Sequence, residues 1–147
     1  MKTEIKRILI VDDSPKDVEL AIAALSENNM ANEIIVAEDG EEALDYLYKR
    51  GKFIDEHGFP AVILLDIKMP KMNGIEVLRH IRNDSKFKLI PVIMVTSSRE
   101  EKDLVESYKL GANSYVVKPV DFNQFMEAIK ILGQYWAIVN QPPPIIL

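Results

Sequence analysis

Five short apolar runs, separated by segments with helical spacing, constrain the fold of this chain more than any other feature. The runs span residues 8–11, 34–37, 61–65, 92–95 and 115–117. They are rich in β-branched residues and do not alternate with polar ones, as is typical of strands buried on both faces. Between the first two runs, Val18, Ile22 and Leu25 recur at helical spacing after Ser14-Pro15, a typical helix start. Strands that alternate with helices predict an α/β domain with a parallel sheet.

Right-handed crossovers leave few topologies for five such units. We therefore predict a doubly wound (βα)5 flavodoxin-like fold with the parallel strand order 2-1-3-4-5. Residues 1–140 form one domain in this prediction, residues 141–147 form a proline-rich and apolar tail, and no output domain is expected. Two further helices are predicted to start at the Asp39/Glu42 and Ser98/Glu101 pairs, which have capping-box spacing. Leu104, Val105 and Tyr108 mark the fourth helix.

The composition limits the classes of partner and compartment. The chain has 147 residues and a formal net charge of −5, whereas nucleic-acid-binding domains are usually basic, so we expect no direct nucleic-acid partner. It contains no cysteine, which excludes disulfides and thiolate metal sites. No apolar run approaches the roughly 20 residues that span a bilayer, and the start of the chain does not match a signal peptide. We expect a cytoplasmic protein without a membrane contact.

Polar residues stand where four of the apolar runs end. Asp12 and Asp13 follow the first run, Asp66 the third, Thr96 the fourth and Lys118 the fifth. In a parallel sheet all five side chains would emerge at the carboxyl edge, where open α/β folds place their ligands. The prediction is one pocket that contains three carboxylates, a hydroxyl and an ammonium group.

Three carboxylates in one pocket repel one another unless a cation neutralises them, and Mg2+ is a hard ion that prefers oxygen ligands. Each residue also has a purely structural interpretation. Asp12 and Asp13 suit a helix start, Asp66 suits a turn, and Thr96 suits a strand end. Lys118 is the hardest to explain structurally, because lysine rarely follows a buried strand unless carboxylates meet its ammonium group. The coincidence of all five favours a site.

The segments around these residues resemble the receiver domain of two-component response regulators. They are IVDDSP, LLDIKMPKMNG, PVIMVTSS and GANSYVVKPV, and the resemblance extends over roughly residues 7–139. Within that family, the long polar excursion at residues 49–60 and the Tyr135-Trp136 pair look most like the regulators associated with bacterial phytochromes.

The resemblance implies that Asp66 accepts a phosphoryl group from a phosphohistidine of a sensor histidine kinase in a Mg2+-dependent reaction. The resemblance to the phytochrome-associated regulators implies that this kinase is a phytochrome. By the same resemblance Asp13, Asp66 and the backbone carbonyl of Lys68 hold Mg2+, and Asp12 acts through water. The implied protein is a signalling phosphoacceptor rather than an enzyme, apart from self-catalysed phosphotransfer and autodephosphorylation.

The resemblance also implies a switch. Lys118 pairs with one phosphoryl oxygen and Thr96 donates its hydroxyl to another. Thr96 then moves toward the phosphate, and Tyr115 turns inward beneath it. These contacts form only when phosphate is present, so they favour one of two conformations.

The last helix is predicted to be apolar on two faces. One stripe, expected to face the core, consists of Phe122, Phe125, Ile129, Leu132 and Trp136. The other consists of Ile131, Tyr135 and Ile138 and is a candidate partner surface. Three occupants stay open: a second copy in a homodimer, a kinase, or the tail of the same chain.

Two other functions stay open. A Mg2+-dependent phosphohydrolase also forms an aspartyl phosphate, but its usual Asp-x-Asp motif is absent, since Ser14 stands two residues after Asp12 and Lys68 two after Asp66. A phosphate-independent interaction module with the same fold would need none of the five site residues.

Overall fold

The structure is a computed structural model that describes residues 6–27 and 32–144. Its centre is a five-stranded parallel sheet in the order β2-β1-β3-β4-β5. The strands are β1 (Lys6–Val11), β2 (Asn32–Ala37), β3 (Pro60–Leu65), β4 (Val92–Thr96) and β5 (Ser114–Val117). The predicted doubly wound topology is confirmed.

Five α-helices connect and flank the strands. They are α1 (Pro15–Ser26), α2 (Gly40–Tyr48), α3 (Gly74–Asn83), α4 (Glu101–Lys109) and α5 (Phe122–Gly133), and the π-helix Gln134–Val139 continues α5. The excursion after α2 contains a 3-10 turn at Gly51–Phe53. Four of the α-helices begin at a short polar side chain, Ser14, Asp39, Asn73 or Asp121, whose oxygen accepts a backbone N–H of the first turn.

Two buried clusters hold the sheet between its helix layers. Leu25 of α1 and Phe125 of α5 pack with strand side chains on one face. Leu47 of α2 and Leu78 of α3 pack with those on the other. All six residues of β3 are buried, as expected of a central strand covered on both faces. This packing fixes the carboxyl ends of the strands relative to one another.

Helix α4 differs from the sequence interpretation in two respects. Its N-cap is Glu100, without a side-chain cap, so the predicted Ser98 cap is wrong. The helix itself is confirmed, but Leu104, Val105 and Tyr108 are exposed, whereas Asp103 and Ser107 are buried. Apolar spacing therefore located this helix without identifying its buried face.

The structure confirms part of the core-facing apolar stripe predicted for the last helix. Phe125 and Ile129 are buried, but Phe122 is exposed at the first position of α5, where the Lys16 ammonium lies 4.0 Å from its ring centroid. On the other face Ile131, Tyr135 and Ile138 are each about half exposed. Residues 141–144 of the tail form neither helix nor strand, and residues 145–147 lie outside the described part of the chain.

Candidate phosphoacceptor site

The carboxyl edge of the sheet brings the three predicted acids together. Asp12 and Asp66, which directly follow β1 and β3, are buried, whereas Asp13 is exposed. One carboxylate oxygen from each lies within 4.8 Å of the others. The pairing of the strands continues into the site, because the Asp12 N–H donates to the Ala37 carbonyl at 3.1 Å and the Asp66 N–H donates to the Val11 carbonyl at 2.9 Å. The acids are thus positioned by the sheet itself.

Lys118, which directly follows β5, completes the cluster. Its ammonium nitrogen lies 2.8 Å from Asp12 Oδ2, 2.9 Å from Asp17 Oδ2 and 3.3 Å from Asp66 Oδ2. Burial alone would lower the pKa of Lys118, but hydrogen bonds and negative charge from these three carboxylates outweigh burial and raise it. Lys118 therefore stays cationic, as the sequence interpretation requires.

Asp17 is the member of this cluster that the sequence interpretation missed. Its position three residues after Ser14 has an ordinary explanation as an acid in the first turn of a helix, and its backbone N–H does donate to Ser14 Oγ at 3.3 Å. Only the tertiary arrangement, which brings the Lys118 ammonium group to the start of α1, indicates that the same side chain reaches Lys118.

The Asp66 carboxylate is oriented by its own loop. Oδ1 accepts the Ile67 N–H at 2.7 Å, which leaves Oδ2 toward Lys118. The start of α3 packs directly against the backbone here, since a Cβ added at Gly74 would lie 2.0 Å from the Asp66 carbonyl oxygen. Asn73, immediately before it, caps α3 by accepting the Glu76 N–H at 3.0 Å. The Asn73-Gly74 pair thus begins α3 in contact with the loop after β3 that carries Asp66.

Thr96 lies at the end of β4 and is fully buried. Its Oγ1 accepts the Ser98 N–H at 3.2 Å, and the Tyr115 hydroxyl donates to the Ser98 carbonyl at 3.1 Å. Ser98 Oγ in turn donates to Asp103 Oδ2 at 2.6 Å. The two predicted switch residues, Thr96 and Tyr115, therefore both contact Ser98 in the β4–α4 loop.

The Lys68 side chain extends from the loop after β3 toward α4. Its ammonium nitrogen lies 3.6 Å from Asp103 Oδ2 and 3.9 Å from Glu100 Oε1. The role predicted for Lys68 uses its backbone carbonyl and stays a prediction. What the side chain adds is an electrostatic connection between the loop after β3 and the start of α4.

The donor set at the sheet edge suits a hard divalent cation, because it consists of carboxylate oxygens only. Burial raises the pKa of Asp12, and the hydrogen bond from Lys118 opposes this rise. Grouped carboxylates with adjacent solvent access match the preference of Mg2+, which binds one or two carboxylates and retains several waters. The exposed Asp13 supplies that solvent access.

Comparison with known proteins identifies the family. The family model described as the response regulator receiver domain matches residues 8–130. This chain belongs to that family. The matched residues include most of β1, all of β2 to β5 and the whole carboxylate cluster. No helix in residues 6–27 or 32–144 is long and apolar enough to cross a membrane.

The chain is similar to three response regulators, and the printed names of two of them, RcpA and RtBRR, refer to phytochromes. Response regulator Rcp1 of Synechocystis is 33% identical over 131 residues, which are 89% of this chain and 88% of Rcp1. The phosphorylated cyanobacterial phytochrome response regulator RcpA superposes with a TM-score of 0.90 at 33% identity, covering 96% of this chain and 100% of RcpA. The bacteriophytochrome response regulator RtBRR is 54% identical, with a TM-score of 0.74 and coverage of 96% and 86%.

Proposed function

We propose that this receiver accepts a phosphoryl group on Asp66 from a phosphohistidine of a sensor histidine kinase. The observation that carries the proposal is the convergence of the Lys118 ammonium with the Asp12, Asp13 and Asp66 carboxylates at the sheet edge. In a purely structural arrangement one ion pair would suffice for Lys118. Here the carboxylates outnumber the cation, which is the arrangement expected of a site that also binds a metal ion.

In the proposed step an Asp66 carboxylate oxygen attacks phosphorus as the phosphorus–nitrogen bond of the donor breaks, and the electron pair of that bond returns to the histidine nitrogen. Little covalent chemistry is required of the protein, so positioning and charge neutralisation dominate. Lys118 neutralises one phosphoryl oxygen, and Thr96 donates its hydroxyl to another. The Ile67 N–H holds the carboxylate in orientation throughout, through its 2.7 Å hydrogen bond to Oδ1.

The metal in this proposal is Mg2+, with Asp13, Asp66 and the Lys68 carbonyl as ligands and Asp12 acting through water. When bound, the ion reduces the repulsion between the carboxylates and the incoming phosphoryl oxygens. A structure of Rcp1 in its Mn(2+)-bound form, 32% identical with a TM-score of 0.89, supports divalent-ion binding in a relative.

The proposed consequence of phosphorylation is a rearrangement of the β4–α4 loop. In this proposal the Thr96 side chain moves toward a phosphoryl oxygen, which alters its contact with the Ser98 N–H. Tyr115 holds the same loop through the Ser98 carbonyl, so its position responds to that change. This gives the two-state element that a ligand-driven switch requires.

A bacterial phytochrome is the kinase class that we propose as partner, because the printed names of RcpA and RtBRR connect them to phytochromes. A cytoplasmic location is part of this proposal. We further propose that partners contact Ile131, Tyr135 and Ile138, a surface that is about half exposed along the last helix. In this proposal the protein performs no chemistry beyond its own phosphorylation and dephosphorylation.

The experiment is intact-mass analysis after incubation with Mg2+ and a small acyl-phosphate donor. We expect one phosphoryl group on the native chain and on Asp55→Asn, an exposed acid outside the site, but none on Asp66→Asn or without metal. Donor consumption without an adduct would favour the phosphohydrolase. No adduct and no consumption, with a phosphorylated kinase domain equally ineffective, would favour the phosphate-independent module.

A further inference from the structure

We propose that Asp17 is a positioning residue, whose carboxylate holds the Lys118 ammonium beside Asp12 and Asp66 and gives up its place to a phosphoryl oxygen. The inference deepens the proposed phosphotransfer function and rests on it. It starts from the 2.9 Å contact between Asp17 Oδ2 and Lys118 Nζ, which is nearly as short as the 2.8 Å contact with Asp12.

The local sequence places Asp17 where this contact can form. Ser14 caps α1 and Pro15 begins it, so Asp17 occupies the third helical position. Helical Cα–Cβ bonds tilt toward the N-terminus, which directs the Asp17 carboxylate back over the start of α1. That start lies at the carboxyl edge of the sheet, where the Lys118 side chain reaches it.

The hydrogen-bonding capacity of Lys118 sets up a competition. An ammonium group has three N–H donors, and the three carboxylate contacts account for all of them. While Asp66 is still a carboxylate, an incoming phosphoryl oxygen can therefore pair with Lys118 only if one carboxylate contact is released. Which contact breaks determines what opposes phosphorylation.

Differences in burial indicate that the Asp17 contact is the one released. The side chains of Asp12 and Asp66 are 9% and 7% exposed, whereas that of Asp17 is 30% exposed. A carboxylate that already contacts solvent becomes more fully hydrated when it leaves an ion pair, but a buried one would be left uncompensated. Asp12 and Asp66 also belong to the metal-binding cluster, which Asp17 does not.

The main test compares Asp17→Asn with Glu19→Gln, which removes one negative charge from an exposed position on the same helix. The rate constant for Asp66 phosphorylation by an acyl phosphate is measured at fixed Mg2+. Partly exposed ion pairs are weak, so we expect roughly a three-fold faster rate for Asp17→Asn than for Glu19→Gln. Asp17→Ala should give the same sign, because it also frees Lys118.

A second readout needs neither metal nor phosphate. Reductive methylation of the Lys118 amine, followed by peptide mass mapping, should be faster in Asp17→Asn than in Glu19→Gln, and Asp17→Glu should restore protection. Thermal unfolding of the same variants separates this effect from a general loosening of α1.

The outcomes distinguish the two proposals. If the native chain is phosphorylated on Asp66 but Asp17→Asn matches Glu19→Gln in both rates, Asp17 only supports the helix start and the inference is overturned. If the native chain takes no phosphoryl group, the proposed function fails and this inference fails with it.

Discussion

Helices α3 and α4 have almost the same length but are attached to the domain in opposite ways. The α3 helix buries Val77, Leu78 and Ile81. The α4 helix buries Asp103 and Ser107 instead and leaves its large apolar side chains exposed. Hydrophobic packing therefore holds α3 in place, whereas hydrogen bonds and ion pairs contribute much of what holds α4.

The polar contacts that hold α4 connect it to the candidate phosphoacceptor site. Asp103 accepts a hydrogen bond from the hydroxyl of Ser98, which follows Thr96 by two residues. Asp103 also contacts the ammonium group of Lys68, which follows Asp66 by two residues. Polar contacts of this kind can exchange partners without opening a cavity, unlike the close-packed contacts of α3. Under the proposed function, the comparison predicts that phosphorylation changes the position of α4 and leaves α3 fixed.

The largest expected effect is on the α3 side. Ile81→Ala removes a side chain that is 1% exposed, and such truncations cost about 2–5 kcal/mol through lost burial and a residual cavity. Equilibrium denaturant unfolding would measure the loss in free energy of unfolding. A loss under about 1 kcal/mol would contradict the claim that hydrophobic packing holds α3.

The next effect concerns the point where α3 meets the site. Gly74→Ala forces a Cβ against the Asp66 carbonyl oxygen, so the loop must shift, at a cost of about 1–3 kcal/mol. We expect slower phosphorylation by an acyl phosphate in the same variant. Normal stability combined with a normal rate would show that α3 does not position the phosphoacceptor.

A smaller effect is expected in the polar attachment of α4. Asp103→Ala leaves the buried Ser98 hydroxyl without its acceptor and removes the shortest contact of Lys68 with α4, at a cost of about 1–2 kcal/mol. The control is Glu106→Gln on the same helix, whose exposed contact with Arg79 at 3.3 Å should contribute under about 0.5 kcal/mol. Equal losses in the two variants would mean that Asp103 does not anchor α4.

The smallest effect is expected on the outer face of α4. Tyr108 is 51% exposed, and Tyr108→Ala should change the free energy of unfolding by only about 0.5 kcal/mol. A cost comparable to that of Ile81→Ala would show that the α4 surface is buried in solution, for example against a second copy.

The sequence predicts most of the fold because strand runs and helix caps are local signals. The strand-end positions of all five site residues together are enough to expect one site, since parallel strands end at a common edge. The attachment of α4 and the contact of Asp17 could not be predicted in the same way. Apolar spacing predicts a helix but not whether its stripe meets the core, and an acid in a first turn has a sufficient local explanation.

Hydrogen–deuterium exchange of α3 and α4, with and without Mg2+ and an acyl-phosphate donor, tests most directly whether the site acts through α4. Mass analysis of the same samples gives the fraction phosphorylated. We expect phosphorylation to change exchange in the β4–α4 loop and α4 while leaving exchange in α3 unchanged. In Asp66→Asn we expect no change in exchange in the loop or in either helix. Full phosphorylation with identical exchange in α4, or an equal change in both helices, would contradict the account.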